Sequence, residues 1–182
     1  MAAEVGVLKL VCEKLESVGI PYMLTGSFAA NFFAVPRMTR DIDLVIEVLD
    51  VDLDKFAQLF EGDFYFEKEA LVQAINYTSM FNIIHQDTVC KIDFIIRKKN
   101  PYRQLEFQRR QRVLFDGAQI WIVSPEDLII SKLFWAKDSL SQMQLRDVRN
   151  ILFNAKDLDV AYMEKWVTEL GLVELYDKAK NP

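Results

Sequence analysis

The sequence predicts an α+β fold, in which a mixed β-sheet with flanking helices is followed by a small C-terminal helical bundle. Two observations support this prediction. Short apolar strands alternate with helical repeats through the first two thirds of the 182-residue chain, and several of these strands adjoin as hairpins. The last third reads as helix throughout. We therefore divide the chain into an α/β core, residues 1–123, and a helical region packed on it, residues 124–182.

The predicted core begins with a helix whose valines and leucines recur at helical spacing and which ends before Gly19 and Pro21. Pro36 stops the second helix. In chain order, the remaining predicted elements of the core are a strand at 22–25, the second helix at 28–34, a strand at 41–47, a helix that starts in the acidic residues 50–54, a strand at 64–66, a helix at 69–76, a hairpin of 79–85 with 89–96, a helix from 101 to 111, and a hairpin of 112–115 with 119–123.

The helical region begins with a clear start signal. Ser124 is a suitable cap, Pro125 suits the first helical position, and Glu126 and Asp127 complement the helix dipole. The predicted helices are 125–137, 142–154, 160–171 and 173–178.

Composition limits the classes of function. A formal net charge of −5 argues against a protein that coats nucleic acid over its whole surface, although a local basic patch is compatible with it. Cys12 and Cys90 lie in core-like patterns, which predicts a reducing, cytoplasmic setting without disulfides or a zinc site. The start of the chain lacks the features of a signal peptide, and no run is apolar enough to span a membrane. His85 is the only histidine, which excludes a zinc site built from several histidines.

The most informative stretch places Leu24-Thr25-Gly26-Ser27 thirteen residues before Asp41-Ile42-Asp43-Leu44. Side chains alternate along a strand, so both aspartates emerge on one face, about 6.6 Å apart along the chain. Like charges at this spacing favour a cation between them, and oxygen ligands beside phosphate favour Mg²⁺. Gly26 lets the backbone approach a ligand, and amides at the start of a helix favour phosphate. Together these features predict a site for a nucleoside triphosphate and one or two Mg²⁺ ions.

This pattern resembles the signature of the nucleotidyltransferase superfamily, which has the DNA polymerase β-like fold. The signature continues with a third carboxylate on a later strand, and Asp93 in the run Val-Cys-Lys-Ile-Asp-Phe-Ile-Ile fits that position. The resemblance implies that Asp41, Asp43 and Asp93 are catalytic metal ligands, with Asp93 also the candidate base for the acceptor hydroxyl. It implies that Gly26 and Ser27 contact the β- and γ-phosphates.

Each of these residues also has a structural interpretation. Asp41 and Asp43 could lie on the open face of a solvated edge strand. A Gly-Ser pair often marks a plain turn. Asp93 interrupts an apolar run, where a carboxylate without a partner is costly, so an ion pair with Lys91 or Arg97 is its alternative role.

Lys132 lies on an apolar helical face, where an inward-facing charge needs a reason. The segment Ser-Pro-Glu-Asp-Leu-Ile-Ile-Ser-Lys-Leu that contains it, with Arg146-Asp147 further on, is similar to the helical part of the AbiEii-like nucleotidyltransferase toxins of bacteria. That similarity implies that Lys132 binds the nucleotide by neutralising triphosphate charge. A lysine that extends its ammonium to the edge of the apolar face is the alternative. We expect Asp147 to be a structural ion-pair partner.

The expected activity is transfer of a nucleoside monophosphate from a triphosphate to an acceptor hydroxyl or phosphate. The resemblance makes RNA, such as tRNA, a plausible acceptor and an antitoxin protein a plausible partner. The basic stretch 97–112 is either a solvated helix face or a guide for such an acceptor. Two alternatives are an adenylyltransferase that modifies an aminoglycoside or lincosamide antibiotic, and a catalytically silent module of the same fold that binds nucleotide or protein.

Overall fold

The computed structural model describes residues 2–48, 53–139 and 141–181. It contains a seven-stranded mixed sheet with helices packed around it, which confirms the predicted fold class. The strands are β1 Tyr22–Thr25, β2 Asp41–Ile46, β3 Phe64–Tyr65, β4 Met80–His85, β5 Cys90–Ile96, β6 Gln111–Phe115 and β7 Ala118–Ile122. The helices are α1 Ala2–Ser17, α2 Gly26–Phe33, α3 Leu53–Phe60, α4 Lys68–Tyr77, α5 Pro101–Gln108, α6 Pro125–Ser139, α7 Gln142–Asn154, α8 Val160–Glu169 and α9 Val173–Lys180.

The sheet has the strand order β3-β4-β5-β2-β1-β7-β6. The central pair, β2 and β5, is parallel, and β1 also runs parallel to β7. The other neighbours are antiparallel, including the two predicted hairpins β4–β5 and β6–β7. The two strands that carry the predicted acids are therefore direct neighbours in the middle of the sheet.

One face of the central strands forms the apolar core. Ile42, Leu44 and Ile46 of β2 are completely buried there because they alternate with the aspartates. Phe94 of β5 lies on the same face, and Phe56 of α3 packs edge-on against it with ring centroids 5.3 Å apart. The opposite face of β2 and β5 is therefore left to the polar side chains.

Several element boundaries differ from the predictions by one to three residues, and three cases matter here. The second helix begins at Gly26, directly after β1, and not at residue 28. Helix α5 ends at Gln108 because Gln111 already pairs with Ile122 in the β6–β7 ladder. The predicted acidic start of the third helix, residues 50–52, lies outside the described residues, and the described helix begins at Leu53.

Helix α6 links the helical region to the rest of the molecule, since it packs against α2 as well as against α7 and α8. The division of the chain into domains 1–123 and 124–182 stays a prediction. Among the described residues, no helix has both the length and the apolar character required to cross a bilayer.

Candidate active site

The in-register pairing of β2 with β5 brings the predicted acids together. Asp43 is the cross-strand partner of Asp93, and Asp41 is the partner of Lys91. Cross-strand partners point to the same face of a sheet, and adjacent strands lie about 4.8 Å apart. Asp41, Asp43, Asp93 and Lys91 therefore form one group on the face opposite the apolar core, which we call the acidic cluster.

The turn at Gly26 lies directly against this cluster. Thr25, the last residue of β1, is the cross-strand partner of Asp43. Gly26 has a φ of +67°, and a Cβ built on it would lie 1.9 Å from Oδ2 of Asp43. Only glycine fits here, both because of the backbone conformation and because of the neighbouring carboxylate. The amides at the start of α2 are thereby held next to Asp43.

Asp43 is the one acid of the cluster without a polar partner, since it forms no side-chain hydrogen bond or ion pair within the described parts of the chain. Burial and the nearby charge of Asp93 raise the pKa of Asp43 to about 6, although Lys132 and Lys91 oppose the shift. An unpaired, partly buried carboxylate lowers the stability of the folded protein, so folding by itself gives no reason for this position. Its position is explained more simply by a ligand that carries positive charge.

Asp93 has the ion pair that the sequence offered as an alternative. Nζ of Lys91 lies 2.7 Å from Oδ2 of Asp93 and 3.8 Å from Oδ2 of Asp41. The hydrogen bond to Asp93 raises the pKa of Lys91, so the lysine stays charged. Arg97, the other proposed partner, instead pairs with Glu47 at 2.5 Å. The acidic cluster thus contains three carboxylates and one resident ammonium group.

The donor chemistry of the cluster fits a hard cation, because all three acids offer oxygen from adjacent positions of one sheet face. Within the described ranges, however, no three carboxylate, imidazole or thiol side chains converge as a finished metal site. Lys91 pairs with Asp93 and approaches Asp41. Coordination by all three acids would require Lys91 to move aside.

A second charged group stands on the other side of the Gly26 turn. Lys132 of α6 is 3% exposed and donates to Oδ2 of Asp147 at 2.8 Å and to Gln144 at 3.1 Å. Arg37 donates two hydrogen bonds to the same aspartate, each 2.9 Å long. Lys132, Arg37 and Asp147, which we call the cationic cluster, therefore carry a formal charge of +1.

The pKa shifts in the cationic cluster are consistent with this pairing. Burial would raise the pKa of Asp147, but the hydrogen bonds from Arg37 and Lys132 bring it below its ordinary value. Burial lowers the pKa of Lys132, and the Asp147 carboxylate opposes that shift. Asp147 is thus an ion-pair partner in the structure, as expected from the sequence.

Arg37 was not identified from the sequence as a site residue. Its guanidinium donates to Oγ of Ser27 at 2.5 Å, and so it connects the Gly26–Ser27 turn to Asp147. The side chain of Asn31 exchanges two hydrogen bonds with the backbone of Arg37, which fixes the loop. No periodic pattern predicts these contacts, because Arg37 and Asp147 are 110 residues apart in the chain.

A cavity of about 230 Å³ joins the two clusters between the polar sheet face and α6. Gly26, Ser27, Asp43, Lys132 and Trp135 are among its lining residues. A second cavity of about 210 Å³ shares four lining residues with the first, namely Thr25, Ile95, Ser131 and Trp135. The two form one cleft, with the Gly26 turn and charged side chains at one end and a largely apolar wall at the other.

The basic stretch 97–112 is mostly neutralised by other parts of the protein. Arg103 bonds Glu106 and Ser131, Arg109 bonds Asp127, and Arg112 lies 3.5 Å from Glu16. Lys98 and Lys99 are exposed. These contacts favour a structural role for most of the stretch.

No protein-family model and no curated protein sequence matches the chain. Solved structures do match it. An antigenic nucleotidyltransferase-like protein from Paracoccidioides brasiliensis superposes with a TM-score of 0.59 at 18% identity, covering 96% of this chain and 92% of that one. The lincosamide antibiotic adenylyltransferase LnuA, bound to lincomycin, gives 0.52 at 15% identity over 78% of this chain and 91% of its own.

The antibiotic-resistance factor ANT(2'')-Ia gives a TM-score of 0.50 at 12% identity, covering 98% of this chain and 90% of the resistance factor. The chain therefore has the nucleotidyltransferase fold, as its sequence predicts. The similarity is one of fold and does not single out the AbiEii-like group.

Proposed function

We propose that the protein is a metal-dependent nucleotidyltransferase, which transfers a nucleoside monophosphate from a nucleoside triphosphate to an acceptor hydroxyl or phosphate and releases pyrophosphate. The observation that carries this proposal is the contact between the Gly26 turn and the carboxylate of Asp43. A phosphate bound by the amides of the turn would lie beside the acidic cluster. A plain turn or a solvated edge strand gives no reason for that contact.

Each site residue has a role in this proposal. Amides of Gly26 and Ser27 bind the β- and γ-phosphates at the start of α2. The acidic cluster of Asp41, Asp43 and Asp93 would hold Mg²⁺ through the unpaired Asp43, and bound Mg²⁺ would neutralise phosphate charge and polarise the attacking oxygen. The ammonium group of Lys132 faces the same cavity and neutralises further charge on the triphosphate. Catalysis then consists of positioning and charge neutralisation.

The rest of the nucleotide has room in the second half of the cleft. That half is walled by apolar side chains, including Val45, Ile95, Phe134 and Trp135. Sugar and base rings suit such a wall, because aromatic side chains stack on bases. Arg103 and Glu106 line the same part of the cleft and offer polar contacts to a base.

The acceptor we propose first is RNA, such as tRNA, with an antitoxin as protein partner. This follows from the resemblance of the segment around Lys132 to the AbiEii-like toxins. The exposed Lys98 lines the cleft, which suits an acceptor that carries negative charge.

An antibiotic acceptor is the second candidate, favoured by the structural similarity to LnuA and ANT(2'')-Ia. The cleft chemistry favours it less. An aminoglycoside is a polycation and would need an acidic pocket, whereas the one acid that lines the second half of the cleft, Glu106, already pairs with Arg103.

A transfer assay tests the proposal and separates these candidates. The protein is incubated with Mg²⁺ and each labelled nucleoside triphosphate, with total RNA, an aminoglycoside or a lincosamide as acceptor. Label in RNA supports the first candidate, and label in a drug supports the second. Absence of label with every acceptor, together with binding of a non-hydrolysable triphosphate, would replace the proposal by a silent nucleotide-binding module.

A further inference from the structure

Lys91 lies where a cation is expected in the acidic cluster. It is the cross-strand partner of Asp41 and precedes Asp93 by two residues, so its side chain emerges between the two acids on the polar sheet face. Its ammonium group is 2.7 Å from Asp93 and 3.8 Å from Asp41. Asp93 is 6% exposed, whereas the Lys91 side chain is 38% exposed, so the ion pair is shielded from solvent on the Asp93 side.

The three acids consequently differ in their need for an external cation. Lys91 already balances the charge of Asp93 and lies near that of Asp41, whereas Asp43 has no ion-pair partner within the residues that the structure describes. Asp43 is also the acid in contact with the phosphate-binding turn. The side of the cluster nearest the turn is open to a metal ion, and the other side is filled by a side chain of the protein.

We propose that Lys91 is an internal cation that occupies the Asp41–Asp93 side of the acidic cluster, so that the site takes a single divalent ion, at Asp43. This inference rests on the proposed function, because it assumes that the acidic cluster binds metal. Lys91 supplies one fixed positive charge that a second ion would otherwise bring. Its ion pair with Asp93 also fixes the orientation of that carboxylate without a bound metal.

The charge relations explain why two cations would exclude each other here. An ammonium group and a divalent ion bound to the same carboxylate repel strongly at separations of about 4 Å in a partly buried site. A metal ion could bind Asp93 only after Lys91 leaves it, which would cost the 2.7 Å ion pair. Removing the ammonium group should therefore open the second position.

Counting bound Mn²⁺ by electron paramagnetic resonance tests this directly, with no need for an active enzyme. We expect one Mn²⁺ per wild-type chain. In Lys91→Ala we expect a second bound ion or a dissociation constant lower by at least about tenfold. Lys91→Arg keeps the charge and should bind like the wild type. Lys9→Ala removes an equal charge from the exposed pair with Asp116 and is the matched control.

The outcomes separate this inference from the proposed function. Two ions on the wild-type chain would overturn the inference and leave the metal-dependent function standing. The same holds for unchanged binding in Lys91→Ala, provided that its circular dichroism and melting temperature show a folded protein. Absence of Mn²⁺ binding in every variant would overturn both the inference and the metal assignment.

Discussion

Asp43 of β2 and Asp127 of α6 are both shielded from solvent, but they differ in their hydrogen-bond partners. Asp127 is completely buried, and its carboxylate accepts hydrogen bonds from Ser124, Arg109 and Tyr162 at 2.6–2.9 Å. Asp43 has no comparable partner among the described residues and faces a cavity. A buried acid whose hydrogen bonds are all satisfied stabilises a fold, whereas an acid without such bonds beside a cavity and a glycine turn indicates a ligand site.

Replacing Asp43 with asparagine should give the largest effect on activity. The variant keeps the shape of the side chain but loses a metal-binding charge, so we expect transfer to fall by about a thousandfold or more. The measurement is the rate of label transfer in the assay above. Asp63→Asn, at an exposed ion pair with Lys14, is the control and should retain full activity. Unchanged turnover in Asp43→Asn would remove this residue from the metal site.

Replacing Asp127 with asparagine should give the largest effect on stability. Arg109 and Tyr162 would lose their charged partner in a buried network, which costs roughly 3–5 kcal/mol. For a chain of this length we expect a melting temperature lower by about 10 °C. Calorimetry checks it. A variant that melts within a degree or two of the wild type would show that the network contributes little, and the contrast with Asp43 would fail.

In the metal-free protein, replacing Asp43 with asparagine should raise stability, whereas replacing Asp127 should lower it. The pKa of Asp43 is raised to about 6 in the folded state from an ordinary value of 3.8. The folded state therefore binds more protons than the unfolded state between about pH 4 and 6, and wild-type stability contributed by this group falls as pH rises through that window.

It follows that Asp43→Asn should be more stable than the wild type at pH 7.5 in EDTA, by roughly 1–3 kcal/mol. The difference should vanish at about pH 3 and below, where Asp43 is protonated in both states. Urea unfolding at the two pH values measures it. A variant that is less stable than the wild type at pH 7.5 would indicate an unrecognised partner for Asp43.

Replacing Lys132 in the cationic cluster should give the smallest effect on function. Lys132→Ala removes an ammonium group from the cleft, and we expect about a tenfold weaker affinity for a non-hydrolysable triphosphate. Lys137→Ala, on the exposed end of the same helix, should bind normally. Isothermal titration calorimetry measures both. An unaltered dissociation constant in Lys132→Ala would leave Lys132 only its structural contacts with Asp147 and Gln144.

The sequence predicts the elements well where local signals are strong. Strand β1 and helix α7 have the predicted bounds, because Pro21 and the Ser141 cap mark their starts. The acids could also be assigned to one face, since alternation along β2 and β5 follows from the strand period. Helix α2 begins two residues earlier than predicted, because the positive φ of Gly26 depends on tertiary contacts.

Contacts between distant segments could not be predicted in this way. The sequence offered both Lys91 and Arg97 as partners of Asp93, and only the packing of Arg97 against Glu47 decides between them. Arg37 reaches Asp147 through a loop whose path no periodicity describes. The cleft itself depends on how α6 lies over the sheet, which a single sequence without homologues does not determine.

A crystal structure with Mg²⁺ and a non-hydrolysable nucleoside triphosphate would show whether the Gly26 turn and Asp43 form one nucleotide site. We expect the triphosphate to bind to the amides of Gly26 and Ser27, with one metal ion between a phosphate oxygen and Asp43. We also expect Lys91 to keep its contact with Asp93. A triphosphate bound away from the Gly26 turn, or in the cleft without contact between metal and Asp43, would contradict the account.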